Sequence, residues 1–247
     1  MPALQSTPLG WRRLHPYRVA LTTFRAGLAT AMVLATFTQL ANYEGYWRRI
    51  GLHDLGLRTG NFFSAFTFQV NLLGAVVLVA GAYLLWREHG DEALWFTRIR
   101  LCLLAALVVT GVVYNLLLRS APTGPGEQVD WANNVVHVAA PLGVTMDWLI
   151  APHARRMPLS SVALVPVYPV AWLVYSLVRG PLVPDELLRT PYYYPYPFLN
   201  PHGSGGWPAV LTMIGILIIL ILAVSSIAVL ALRTEDRVAH ARPPRVV

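Results

Sequence analysis

The stretch "SAFTFQVNLLGAVVLVAGAYLLW", Ser64–Trp86, decides the fold. From Leu72 onward nearly every side chain is apolar, and as a helix the run is long enough to cross a hydrocarbon core about 30 Å thick, which takes ~20 residues. Its first turns nevertheless carry Ser64, Thr67, Gln69 and Asn71. Polar groups at that depth need a protein partner or a wet cavity.

The rest of the chain has the same character. It is 55% apolar and 13% charged with a positive mean hydropathy, which places it among membrane proteins and excludes an ordinary soluble domain. Six spans are predicted, at 19–41, 62–86, 101–118, 131–151, 159–178 and 208–232, giving an all-α polytopic membrane protein with one integral domain over residues 1–247. An outer loop at 179–207 and a cytoplasmic tail at 233–247 complete it. Arg25 interrupts the first span. A signal peptide is the competing reading of that span, but its basic segment is long for one and "TFTQLANYEG" offers no small-x-small cleavage site.

All the basic residues other than histidine are arginines, and they are distributed unevenly. Arg12, Arg13, Arg18, Arg25, Arg87, Arg98, Arg100, Arg155, Arg156, Arg233, Arg237, Arg242 and Arg245 fall on one side of the expected membrane. Arg48, Arg49, Arg58, Arg119, Arg179 and Arg189 fall on the other. Positive charge collects on cytoplasmic flanks, so both termini are expected in the cytoplasm. Anionic lipid accounts for the net charge of +7, and no nucleic-acid partner is needed. The single cysteine, Cys102, precludes an internal disulfide and a thiolate metal cluster. Asp147, near the inner end of the fourth span, is expected to pair with Arg155 and Arg156. In the outer loop, "RTPYYYPYPFLNPHGSGGW" (189–207) reads as an aromatic interfacial anchor or as a lid over something beneath it.

Depth brings two residues to one level. Thr67 lies about five residues into the second span, roughly 8 Å deep, and His137 lies about six into the fourth, both entering from outside. His137 is the only histidine inside a predicted span. Ser64, Thr67 and Asn71 follow helical i, i+3, i+7 spacing, while Asn133 and Asn134 precede His137 on its own face. Tyr114, Asn115, Tyr175 and Arg179 reach the same outer end. The bland reading of such stripes is interhelical hydrogen bonding. The chemical one makes the imidazole a general base that withdraws the Thr67 hydroxyl proton so that oxygen attacks an acyl carbonyl.

"FTFQVN" around Thr67, "NNVVHVAAPLGVTMDWL" around His137 and "YPYPFLN" at 194–200 resemble, in order, the landmarks of the androgen-induced gene 1 and androgen-dependent TFPI-regulating protein family and its bacterial six-span relatives. That resemblance implies a multi-pass membrane threonine hydrolase that cleaves fatty acid esters of hydroxy fatty acids, with the threonine and histidine roles on Thr67 and His137. Where vertebrate members have Asn-His-x-x-His, this chain has Asn133-Asn134-Val135-Val136-His137.

The expectation is therefore a bundle in the bacterial plasma membrane with a pocket open to the outer leaflet, acting on a membrane lipid or long-chain fatty acid ester without cofactor or metal. Thr67 is the nucleophile and His137 the base. Ser64, Asn71, Asn133 and Asn134 support them, orienting the imidazole or holding the oxyanion. Arg179 binds a substrate carboxylate or simply snorkels to the interface. The alternative is a non-catalytic lipid-binding or transport protein whose same pocket holds a headgroup. Haem is a weaker option, since one intramembrane histidine does not supply two axial ligands.

Overall fold

The computed structural model describes residues 9–52, 54–87, 92–120, 128–152 and 157–241. Among them no strand forms, and the chain is an all-α bundle. Its helices are α1 (Leu9–Arg49), α2 (Leu55–Ser64), α3 (Phe66–Arg87), α4 (Leu94–Val113), α5 (Asp130–Asn134), α6 (Ala140–Ile150), α7 (Val167–Arg179) and α8 (Gly206–Ala241). Short π-helical turns extend α4 through Tyr114–Leu118 and join α5 to α6 through Val135–Ala139.

Five helical runs are long and apolar enough to cross a membrane: Pro16–Arg49, Phe66–Arg87, Leu94–Leu118, Leu159–Leu182 and Gly206–Arg233. The predicted span at 131–151 is helical from Asp130 to Ile150 but falls outside that class. Asp130, Asn133, Asn134, His137 and Asp147 lower its hydropathy, and it packs against α1 and α4. α4 is the hub, lying against α3, α6 and α8 with Leu101, Ala105 and Leu107 wholly buried. Glycines permit the closest approaches: a Cβ on Gly143 would meet Leu28 of α1, and one on Gly111 would lie 3.1 Å from the His137 carbonyl.

The second predicted span departs from expectation in an informative way. Instead of one helix over 62–86, the chain breaks at Ala65, which is extended (φ −69°, ψ 131°). α2 and α3 are therefore separate, and Ser64 does not share a helical face with Thr67 and Asn71. A break at this level exposes carbonyls that need donor partners. Each is met: Asn61 O by Ser64 Oγ at 2.6 Å, Phe63 O by Gln69 Nε2 at 2.7 Å, and Ser64 O by Trp172 Nε1 at 2.9 Å. Two of the four polar side chains of the opening stretch thus serve the break. Asp54 caps the other end of α2 through the Leu57 amide.

Charge is concentrated at the opposite end of the bundle. Arg25 is fully buried and pairs with Asp147 (Nε to Oδ1, 2.6 Å), as does Arg100 (Nη2 to Oδ2, 2.8 Å). Arg100 also holds Glu92 at 2.9 Å and the Pro152 carbonyl. Two cations and two carboxylates from α1, α4, α6 and the segment before α4 neutralise one another in a buried site. Among the described residues the partners of Asp147 are Arg25 and Arg100; the expected Arg155 and Arg156 lie outside the described residues. Arg25 interrupts no helix, because it faces protein throughout.

Candidate functional site

The site lies at the end of the bundle away from that ion network. Because α3 begins at Phe66, Thr67 sits in its first turn, where backbone N–H groups have no partner within the helix. The Thr67 amide donates instead to the hydroxyl oxygen of Tyr196, at 3.1 Å, from the loop before α8. Thr67 Oγ1 lies 3.0 Å from the same oxygen and 3.4 Å from His137 Nε2. His137 comes from the π-turn between α5 and α6, a geometry often found at functional sites. Its ring stacks on Tyr114, from the π-turn after α4, with centroids 3.8 Å apart.

Chemistry fixes the direction of every bond in this chain. The carbonyl of Asn133 can only accept, so His137 Nδ1, 3.1 Å away, carries the proton and donates. Nε2 is then the bare nitrogen and accepts from the Thr67 hydroxyl. Thr67 Oγ1 in turn accepts from the Tyr196 O–H, and the Tyr196 oxygen accepts from the Thr67 amide. Burial raises the Tyr196 phenol above its ordinary range, which keeps it a protonated donor. The result is a directional relay in which each donor meets an acceptor and the threonine hydroxyl points at a base.

The predicted supporting residues divide. Asn71 is fully buried and donates to Thr67 O at 2.8 Å and Val136 O at 3.2 Å, tying α3 to the His137 segment, while its Oδ1 has no partner. Asn133 donates Nδ2 to the Tyr114 hydroxyl, fixing the ring on which His137 stacks. Ser64 is occupied with the α2 break. Asn134 is exposed, one residue round the helix from Asn133, and does not line the site. Arg179 donates to Asn61 Oδ1 at 2.6 Å and lies over Tyr193, so it braces the loop and does not line the cavity. The arginine that does line it is Arg58.

Two cavities meet at Thr67. A polar one of about 340 Å³ is lined by Gln39, Arg58, Asn61, Asn133, His137 and Glu186 among others. An apolar one of about 70 Å³ lies between α4, α7 and α8, walled by Val109, Pro169, Leu173, Leu217 and Ile221. Thr67, Tyr114, Leu118 and Tyr196 belong to both. A hydroxyl aimed at a base thus stands where a polar chamber joins an apolar slot. Among the described residues no three His, Cys, Asp or Glu side chains converge as metal ligands would. The sequence did not single out Tyr196 or Arg58: the tyrosine lay in a segment with two readings, anchor or lid, and the arginine in a loop charge count.

No protein-family model, curated protein or solved structure matches the chain.

Proposed function

We propose that the chain is an intramembrane threonine hydrolase that cleaves long-chain fatty acid esters, of the type in which a fatty acid esterifies a hydroxy fatty acid. The carrying observation is the ordered relay from the Thr67 amide through Tyr196 and Thr67 Oγ1 to His137 Nε2. The motif resemblance around Thr67 and His137 agrees with it, and so does an apolar slot of the right character for an acyl chain beside a polar chamber.

In this mechanism the Thr67 proton passes to His137 Nε2 as Oγ1 attacks the ester carbonyl carbon. The carbonyl oxygen becomes an oxyanion bonded to the same carbon as Oγ1, within reach of the Tyr196 O–H, which turns from Oγ1 to it. His137 returns its proton to the departing alkoxide, leaving an acyl-threonine. Water, deprotonated by His137, attacks that ester, and the proton then passes to Thr67. The products are a fatty acid and an alcohol, and the protein is regenerated. The Asn133 carbonyl holds the imidazole in the required tautomer and stabilises the imidazolium.

Labelling detergent-purified protein with a serine/threonine-directed fluorophosphonate tests this directly. An adduct at Thr67, lost in His137→Ala, supports the hydrolase. Lipid binding in the pocket with no adduct favours the alternative, a non-catalytic lipid-binding or transport protein.

A further inference from the structure

We propose that Arg58 and Glu186 form an anion-exchange gate on the Thr67 cavity, in which the anionic end of the substrate replaces Glu186 on the Arg58 guanidinium. The hydrolase reading supplies only the place of the scissile ester; the anion site rests on its own geometry. Arg58 is 5% exposed, and its Nη2 donates to Glu186 Oε2 at 2.5 Å. Its Nε is buried without a hydrogen-bond partner. The guanidinium lies over the Trp47 ring, 5.7 Å from the centroid, and both Arg58 and Glu186 line the cavity that holds Thr67 and His137.

A buried N–H without an acceptor is costly, and the guanidinium fork suits a carboxylate or phosphate that takes two donors at once. Glu186 takes Nη2 and leaves Nε empty. The exchange is also asymmetric. The Glu186 side chain is 38% exposed, on a loop segment anchored by the Asp185–Thr190 bridge, so it can turn to water. Arg58 is fixed on α2 and cannot. Arg58 and Thr67 stand on two different helices, α2 and α3, and line one cavity, so an anion on Arg58 and an ester carbonyl at Thr67 would belong to separate parts of one molecule. The substrate class that fits is a long-chain ester that carries a carboxylate or phosphate apart from its scissile carbonyl.

The test is binding of hexadecanoate, hexadecyl phosphate and hexadecanol to the full chain in nonionic detergent, by titration calorimetry. The anions should bind about tenfold tighter than the alcohol, as expected for a charge-assisted hydrogen bond to a buried guanidinium. Arg58→Gln should erase that preference, Arg58→Lys should restore part of it, and Glu186→Gln should tighten the anions several-fold without changing the alcohol. If Arg58→Gln does not fold, Glu186→Gln and the three ligands on the wild type decide. Preference for the phosphate assigns a lipid headgroup; preference for the carboxylate assigns a fatty acid. Equal affinity for anion and alcohol, or no tightening in Glu186→Gln, overturns the gate. Anion preference without ester hydrolysis would discard the hydrolase and keep the gate, and hydrolysis indifferent to the anionic end would do the reverse.

Discussion

The hydroxyl of Tyr196 touches Thr67 twice, 3.1 Å from its amide nitrogen and 3.0 Å from Oγ1. One oxygen therefore both satisfies the start of α3 and orders the threonine hydroxyl toward His137. Tyr196→Phe removes that oxygen while keeping the ring that stacks on Phe198. Turnover should fall ~10²-fold, the usual loss for one oxyanion donor, with a smaller change in KM. Steady-state kinetics on a long-chain ester, corrected for folded fraction, checks this. A Phe variant with wild-type kcat would reduce Tyr196 to a capping residue.

Gly111 places a second constraint on the site, because a Cβ there would meet Pro141 Cγ at 3.0 Å and the His137 carbonyl at 3.1 Å. One of these atoms is backbone and cannot rotate aside. Gly111→Ala should cost roughly 1–3 kcal/mol of stability and shift the His137 turn away from α4. Activity per folded molecule should fall as well. Thermal unfolding measured with kinetics distinguishes this from simple destabilisation, which would leave the folded fraction fully active.

The ion network makes the opposite prediction. Asp147→Asn leaves Arg25 and Arg100 facing a neutral amide in a buried site, and breaking such a pair costs about 3–5 kcal/mol. Because the network lies at the far end of the bundle from Thr67, the molecules that remain folded should turn over at close to the wild-type rate. Chemical denaturation in detergent measures the first effect and active-site titration the second.

Much of this was legible in the sequence, for physical reasons. Apolar runs declared the all-α membrane bundle, and Thr67 and His137 were placed at one level because both lie about one and a half turns into spans that enter from the same side. The break at Ala65 was hidden: neither Gly nor Pro marks it, and it is held by Gln69 and Trp172, the latter more than 100 residues distant. The pairing of Asp147 with Arg25 and Arg100 was not visible in the sequence, because these arginines are 122 and 47 residues away along the chain and meet it only through the packing of α1, α4 and α6. Tyr196 was one tyrosine among several in a proline-rich loop, and no periodicity singles out a residue there.

Orientation offers an independent check. Arg18, bonded to the Leu85 carbonyl, sets the start of α1 beside the finish of α3, and Arg233, bonded to the Met157 carbonyl, sets the last part of α8 beside the segment that leads into α7. With the arginine excess of the sequence on the side of the α1 start and the α8 finish, tags on both termini should resist an impermeant reagent in intact cells. Labelling of either tag from outside would invert the topology and put the Thr67 cavity at the cytoplasmic face.

The central claim is that Thr67 and His137 act as one chemical unit, and the most direct measurement is turnover per folded molecule on a long-chain hydroxy fatty acid ester. Thr67→Ser should retain part of the activity. Thr67→Ala and His137→Ala should each lose roughly 10³-fold or more, and the double variant should be little worse than either single one, because residues acting together lose their effect together. Well-folded alanine variants with wild-type turnover, each costing only on the order of 1 kcal/mol of stability, would contradict the account and leave a hydrogen bond between helices in its place.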